Sequence, residues 1–139
     1  AYARAPFLGR YLPPLEEILQ RRWERLIDLD IACVEFMAGC FGLRRRLERA
    51  SALGVAGGRN ERLLNICRHF GATTYLSTDA SEVYLDVPLF ARDGIAVEWQ
   101  RFPHPVYPQL HGAFLPYLSA IDLLLNCGDG AADVLERVR

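Results

Sequence analysis

The spacing of apolar residues along the chain predicts mostly helices. Leu15, Ile18 and Leu19 recur at helical spacing after two prolines and predict a helix over about 15–25. A second helix is expected over 31–41, capped by Asp28 or Asp30 and ended by Gly42. Further helices are predicted over about 60–70, 87–92 and 118–127, with a last one from about 131. Asn60 is expected to cap the helix that it begins.

Two other segments have the pattern of strands. Residues 73–77 are rich in β-branched and aromatic side chains, and residues 95–102 alternate between apolar and polar side chains. Residues 43–53 fit either a short strand or an irregular loop. Because a helix separates the two strands, the order favours a parallel pairing. We therefore expect an α/β fold, a small mostly parallel sheet covered by helices, forming one domain over residues 1–139.

Composition and charge exclude some classes of protein. The 139 residues carry 16 basic and 17 acidic side chains, a net charge of -1, and every basic residue is arginine. This balance gives no support for a nucleic-acid partner. No apolar run reaches the roughly 20 residues of a membrane span. The four cysteines lack metal-ligand spacing and are expected to be buried thiols, which indicates a cytoplasmic protein without a metal site.

The proline-rich loop over 103–116 is the most unusual segment. Prolines restrict the loop to few shapes, which suits a site that presents polar side chains. His104 is a candidate general base, Tyr107 a candidate acid or hydrogen-bond donor, and Gln109 a candidate substrate contact. The alternative is a rigid connector with a packed tyrosine and exposed histidines.

Ser119, Asp122 and Asn126 lie on one face of the helix predicted after this loop. A capping box explains the first two, with Ser119 as N-cap and Asp122 reciprocating at the third helical position. Asp122 is alternatively a catalytic carboxylate. Asn126 is not explained by capping, and we expect it to point into a cleft.

Two more places are candidates for substrate binding. Arg62 follows a glycine-rich turn at 54–58 and is expected near an anionic group, whereas the glycines themselves are better explained by a plain flexible turn. Ser77 and Asp79 lie at the carboxyl end of the first predicted strand, where parallel sheets usually hold ligands.

Several segments together resemble the WbqC-like protein family. The strongest is His-Pro-Val-Tyr-Pro-Gln-Leu at 104–110, continuing through Leu-Ser at 118–119 and Ile-Asp at 121–122 to Asn-Cys-Gly at 126–128. Others are Glu-Arg-Leu-Leu at 61–64, Gly-Ala-Thr-Thr-Tyr-Leu-Ser at 71–77 and Tyr-Leu-Asp at 84–86. The resemblance is close from about 59 to 128 and loose over the first fifty residues.

The resemblance implies a transferase of glycine or related acyl groups in bacterial surface-polysaccharide or O-antigen biosynthesis. Its partner would be a small-molecule substrate, either an activated sugar or an amino or acyl donor. No cofactor is indicated, and neither is an oligomeric state. The family opens with a His-Gln-Pro-Asn-Tyr motif that residues 1–10 lack, so the chain is expected to be the C-terminal part of a longer protein. A non-catalytic domain that binds a ligand or partner is the alternative.

Overall fold

A computed structural model describes residues 1–138, and its contacts divide the chain into two compact units. Residues 1–45 together with those from Pro103 onward form one, here called the terminal unit, and residues 46–102 form the other, the central unit. The prediction of a single domain over 1–139 stays a prediction. Six helices and two strands follow one another along the described residues: α1 Leu8–Gln20, α2 Leu26–Cys40, α3 Arg59–His69, β1 Thr74–Thr78, α4 Val87–Arg92, β2 Ala96–Gln100, α5 Ala120–Cys127 and α6 Ala131–Glu136.

Helix α1 begins and ends earlier than the apolar spacing predicts. It starts at Leu8 and carries both prolines inside it, because packing fixes the turn before them. Tyr11 is buried in the core of the terminal unit, and the Phe7 N–H donates to the Leu125 carbonyl at 3.2 Å. At the other end, the Trp23 indole donates to the Ile18 carbonyl at 2.8 Å and so satisfies a helix-terminal acceptor.

Helix α2 also begins before its predicted start, and neither aspartate caps it. It starts at Leu26 without a side-chain cap, and Asp28 lies in its first turn, where the Arg25 guanidinium binds it at 3.0 Å. The predicted end is confirmed, since Gly42 adopts a left-handed φ of 69° directly after the last turn. Residues 43–53 form a loop with a short 3₁₀ turn at Ala50–Ala52, so the strand alternative there is wrong.

The central unit contains the parallel pairing that the sequence predicts. Strands β1 and β2 pair from Thr74 opposite Ala96 to Thr78 opposite Gln100, with α4 connecting them. This arrangement confirms the α/β class with a small parallel sheet. The core consists of apolar side chains from α3, α4 and the segments around them: Leu64, Cys67, Leu85, Phe90 and Ile95. Asn60 does not cap α3, because its amide donates to the Tyr84 carbonyl at 2.9 Å.

The terminal unit is organised around α5. Leu123, Leu124 and Leu125 are all buried, together with Tyr11 and Tyr107. The helix ends at Gly128, whose φ of 57° is left-handed and whose Cα faces the Phe7 ring so closely that no Cβ would fit. This packing fixes the carboxyl end of α5, the helix that carries Asp122 in its first turn.

Candidate functional site

The centre of the site in the terminal unit is the carboxylate of Asp122. Asp122 lies in the first turn of α5 and is only 3% exposed. One of its oxygens, Oδ2, accepts a hydrogen bond from the Tyr107 hydroxyl at 2.9 Å and another from the Gln109 amide at 3.2 Å. Three residues that the sequence singles out therefore meet at one carboxylate, and the proline-rich loop is anchored on α5.

This geometry corrects the capping-box explanation of Asp122. Ser119 is the N-cap, and its hydroxyl accepts from the Ile121 N–H at 3.4 Å. The Asp122 carboxylate does not reciprocate toward the helix start, because it binds the loop instead. Asn126 was expected to reach a cleft, but its amide donates to the Asp122 backbone carbonyl at 2.8 Å inside α5. The hydrogen bond of the Asn126 side chain therefore has a structural role.

Gln109 holds the loop closed upon itself. Its amide oxygen accepts from the Leu115 N–H at 2.8 Å, while its amide nitrogen donates to the Leu115 carbonyl at 3.0 Å and to Asp122. Both amide N–H groups and the amide oxygen are therefore already used within the protein. Gln109 acts as a positioning residue for the segment between 109 and 115.

Tyr2 is a member of this cluster that the sequence did not reveal. Burial raises its pKa, and so do a hydrogen bond to Asp122 and the negative charge of that carboxylate. No ion pair to Asp122 occurs within residues 1–138, so neutral donors stabilise the charge. Nothing in the local pattern around Tyr2 signals this role, because its partner lies at the opposite end of the sequence.

The hydroxyl of Tyr107 stays protonated at physiological pH. Burial raises the pKa of Tyr107 to about 12, the bond to Asp122 and its charge add to the rise, and the Gln109 amide opposes it. Burial and the charge of Asp122 likewise raise the pKa of the Cys127 thiol. Tyr107 is therefore a hydrogen-bond donor to Asp122, and Cys127 is a poor nucleophile.

His104 is held in a defined orientation beside this anchor. Its Nδ1 lies 2.9 Å from the Pro105 carbonyl oxygen, which can only accept, so Nδ1 carries the proton. In the neutral ring the lone pair then resides on Nε2. Within the described part of the chain, Nε2 has no hydrogen-bond partner. Every buried side-chain polar atom in that part has a partner, so Nε2 is not buried and is accessible.

Aromatic rings surround the His104 imidazole. The ring centroids of Phe114 and Tyr117 lie 5.8 and 5.1 Å away, and Tyr107 packs edge-on to Phe114 at 5.3 Å. Tyr117 is 83% exposed and adopts a left-handed φ of 62°, which is unusual outside glycine. His104 therefore lies in an aromatic, partly open surrounding, which suits a base that must meet a substrate.

The other sequence-predicted residues lie in the central unit. Ser77 is half-buried and its hydroxyl lies 2.5 Å from that of Ser81, which itself donates to the Thr78 carbonyl at 2.6 Å. Since the Ser81 proton is used there, Ser77 donates to Ser81. Ser81 is buried, with 3% of its surface exposed. Asp79 is exposed on the turn after β1.

Arg62 lines a cleft of the central unit that includes neither Ser77 nor Asp79. The cleft has a volume of about 770 Å³ and lies beside α3. The structure therefore does not gather the three central-unit candidates around one point. The glycine-rich turn before α3 contributes Gly57, whose φ of 96° is left-handed.

No group of three or more metal-ligating side chains occurs within residues 1–138. Over the same residues, no helix has the length and apolar character needed to cross a bilayer. The four cysteines are free thiols.

Comparison with known proteins shows the family. The sequence profile of the WbqC-like protein family matches residues 1–134, so the chain belongs to this family and the match extends through the segment of looser resemblance. An uncharacterized protein of Mycobacterium tuberculosis (strain ATCC 25618 / H37Rv), Rv1507c, is 36% identical over 133 residues. That alignment covers 95% of this chain and 57% of the relative, so the chain spans little more than half of the relative's length. No solved structure matches the chain.

Proposed function

We propose that the protein is a cytoplasmic transferase that adds an acyl or aminoacyl group, such as glycine, to a sugar during bacterial surface-polysaccharide or O-antigen biosynthesis. Membership of the WbqC-like family supports the setting, and the four free thiols support the compartment. The observation that carries the chemistry is His104, whose Nδ1 is tied to the Pro105 carbonyl and whose Nε2 is left accessible.

In this proposal His104 acts as the general base. Its Nε2 accepts a proton from the amine or hydroxyl of the acceptor sugar, and the freed electron pair attacks the carbonyl carbon of the donor. The bond between that carbon and the donor's leaving group then breaks, and the leaving group departs with the bonding pair. The edge-on ring of Tyr117, 5.1 Å from the imidazole, offers a surface for the acceptor.

Asp122 and Tyr107 contribute by holding the loop that carries His104. The buried carboxylate accepts from Tyr107 and Gln109, so α5 fixes the loop on both sides of Pro108. Geometry of this kind matters because a misplacement of about 1 Å can lower a rate roughly 100-fold. Asn126 supports the same turn of α5. Arg62 contributes a positive charge for an anionic group of the substrate, and Ser77 and Asp79 remain proposed substrate contacts.

The experiment compares surface glycans by mass spectrometry in a strain that lacks the gene. The strain is complemented with the wild type, His104→Gln or His111→Gln, at matched protein levels. His111→Gln is the control, because its exposed ring bonds the Ala1 carbonyl at 3.1 Å and no other group of the described residues. We expect the wild type and His111→Gln to restore one acyl or aminoacyl substituent and His104→Gln to leave it missing.

Two results would contradict the proposal at different points. An unchanged glycan in the strain without the gene would remove the surface-polysaccharide role. Full restoration by His104→Gln would remove the base and favour a non-catalytic binding domain.

A further inference from the structure

The cleft in the central unit has the size and lining of a ligand site. Its volume of about 770 Å³ is within the usual range of small-molecule pockets, roughly 300–1,000 Å³. Both charged and apolar side chains line it, and most come from the first half of α3: Arg59, Asn60, Arg62, Leu63 and Ile66, with Tyr84 from the segment before α4.

The charged lining is purely cationic. Arg59 and Arg62 contribute guanidinium groups, and none of the carboxylates in residues 1–138 lines the cleft. Within residues 1–138 neither arginine forms an ion pair, whereas Arg68, further along the same helix, is bound by both oxygens of Asp93. Two unpaired guanidinium groups at one cleft are suited to a phosphate-containing anion, which they can bind in a bidentate manner.

The remaining lining is apolar and aromatic. Leu63 and Ile66 are half-buried, and Tyr84 is 64% exposed. The Asn60 amide donates to the Tyr84 carbonyl at 2.9 Å, so the aromatic residue is tied to the helix that carries the arginines. A planar ring at this position can stack against a heterocyclic base.

The backbone at the arginines is also unusual. Arg59 has a left-handed φ of 47°, which outside glycine is strained. A Cβ at Gly57 would lie 3.0 Å from the Glu61 side chain and 3.2 Å from the Arg62 nitrogen, so only glycine fits this turn without displacing its neighbours. Strained backbone of this kind clusters at ligand sites.

We propose that this cleft binds the nucleoside diphosphate portion of an activated substrate, with Arg59 and Arg62 on the diphosphate and Tyr84 against the base. The proposal rests on the transferase function above and specifies the class of that substrate. A nucleotide sugar, as the acceptor, and a coenzyme A thioester, as the acyl donor, both contain a nucleoside diphosphate. The shared recognition chemistry is therefore a diphosphate joined to a planar base.

Isothermal titration calorimetry of the protein expressed from its complete gene tests this directly. UDP, GDP, ADP, coenzyme A and inorganic pyrophosphate are the probes. Comparing the three nucleotides with coenzyme A distinguishes a nucleotide sugar from a coenzyme A thioester as the bound substrate. We expect at least one nucleotide probe to bind more tightly than pyrophosphate. Arg59→Gln and Arg62→Gln should each weaken that binding about tenfold or more, and Tyr84→Ser should weaken the nucleotide but not pyrophosphate.

Arg92→Gln is the matched control, because it removes one exposed arginine of the central unit that does not line the cleft. It should change the dissociation constant by less than twofold. Failure of every probe to bind at millimolar concentration would overturn the proposal, as would unchanged binding in Arg62→Gln. Equal binding of nucleotides and pyrophosphate would overturn the role of Tyr84 and with it the nucleoside part.

The two proposals fail separately. Nucleotide binding that depends on Arg62, together with an unchanged glycan in the strain without the gene, would contradict the proposed function and leave the cleft assignment standing. A missing substituent in that strain, with no nucleotide bound, would leave the function standing and remove the cleft as the nucleotide site.

Discussion

The buried anchor at Asp122 makes a quantitative prediction for Tyr107→Phe. The substitution removes the hydroxyl that donates to Asp122 at 2.9 Å and keeps the ring that packs edge-on to Phe114 at 5.3 Å. A hydrogen bond to a charged group is worth about 1.5–3 kcal/mol. We therefore expect Tyr107→Phe to lower the free energy of unfolding by about that amount at pH 7.

The pH dependence of this loss is a second, independent signature. The pKa of Tyr107 rises from 10.0 to about 12 in the folded protein, chiefly because the ring is buried. A raised pKa means that folding favours the protonated form, so the stabilisation is complete below pH 10 and is lost as pH rises toward 12. A rise of about 2 in pKa corresponds to roughly 3 kcal/mol. The stability difference between wild type and Tyr107→Phe should therefore shrink toward zero between pH 10 and 12.

Urea unfolding followed by circular dichroism at pH 7, 10, 11 and 12 measures both signatures. Tyr117→Phe is the control, because that side chain is 83% exposed and its loss of a hydroxyl should change nothing. A loss below about 0.5 kcal/mol at pH 7 would refute the anchor, since that is within the range of a neutral surface change. A difference that stays constant from pH 10 to 12 would refute the assigned rise in pKa.

Three further predictions follow from contacts elsewhere. Gly128→Ala should lower the free energy of unfolding by about 2–4 kcal/mol, because the new Cβ would lie 2.4 Å from the Phe7 ring and the φ of 57° is left-handed. Thermal melting should show this loss, whereas Gly130→Ala, where a Cβ would meet open space, should show none. Equal melting temperatures for Gly128→Ala and the wild type would contradict the prediction. The Arg68 guanidinium lowers the pKa of Asp93, so the stabilisation by this ion pair is lost as pH falls through the pKa of Asp93 in the folded protein. Arg68→Gln should therefore flatten the fall in the free energy of unfolding at acid pH. An unchanged fall would refute the pairing. Burial raises the pKa of the Cys127 thiol, so iodoacetamide at pH 7.5 should alkylate this residue more slowly in the folded than in the unfolded protein. Peptide mass spectrometry measures both rates, and equal rates would contradict the prediction.

Local signals predicted the central unit well. Helix α4 runs over the predicted residues because Asp86 caps it, accepting from the Leu89 N–H at 3.2 Å, and Pro88 suits a first turn. Strand β1 is displaced by one residue from its prediction, and its parallel partner follows after the predicted crossover. Residues close in sequence specify these elements, so the sequence pattern alone predicts them.

The ends of α1 and α2 could not be predicted in the same way. Two prolines normally mark a helix start, yet α1 continues through them, because Tyr11 is buried before them by contacts with distant residues. Leu26 fits the apolar spacing of α1 but begins α2, since the chain extends at Arg21, where ψ is 143°. Tertiary packing decides both boundaries.

The candidate site was partly predictable for a related reason. His104, Tyr107, Gln109 and Asp122 belong to one segment that resembles the family, and the last three meet in the structure. Their partner Tyr2 was missed because the contact joins opposite ends of the sequence. The capping pattern at Ser119 also concealed the role of Asp122, because the same residue types serve both purposes.

The most direct test of the central claim is the nitrogen spectrum of His104 in the presence of the acceptor. The acceptor glycan is isolated from the strain that lacks the gene and is added to protein labelled with ¹⁵N in its three histidines. Free protein should show His104 protonated at Nδ1. On addition of the acceptor, the Nε2 resonance of His104 should move while those of His111 stay in place. Binding of the acceptor that leaves the His104 Nε2 resonance unchanged would contradict the account.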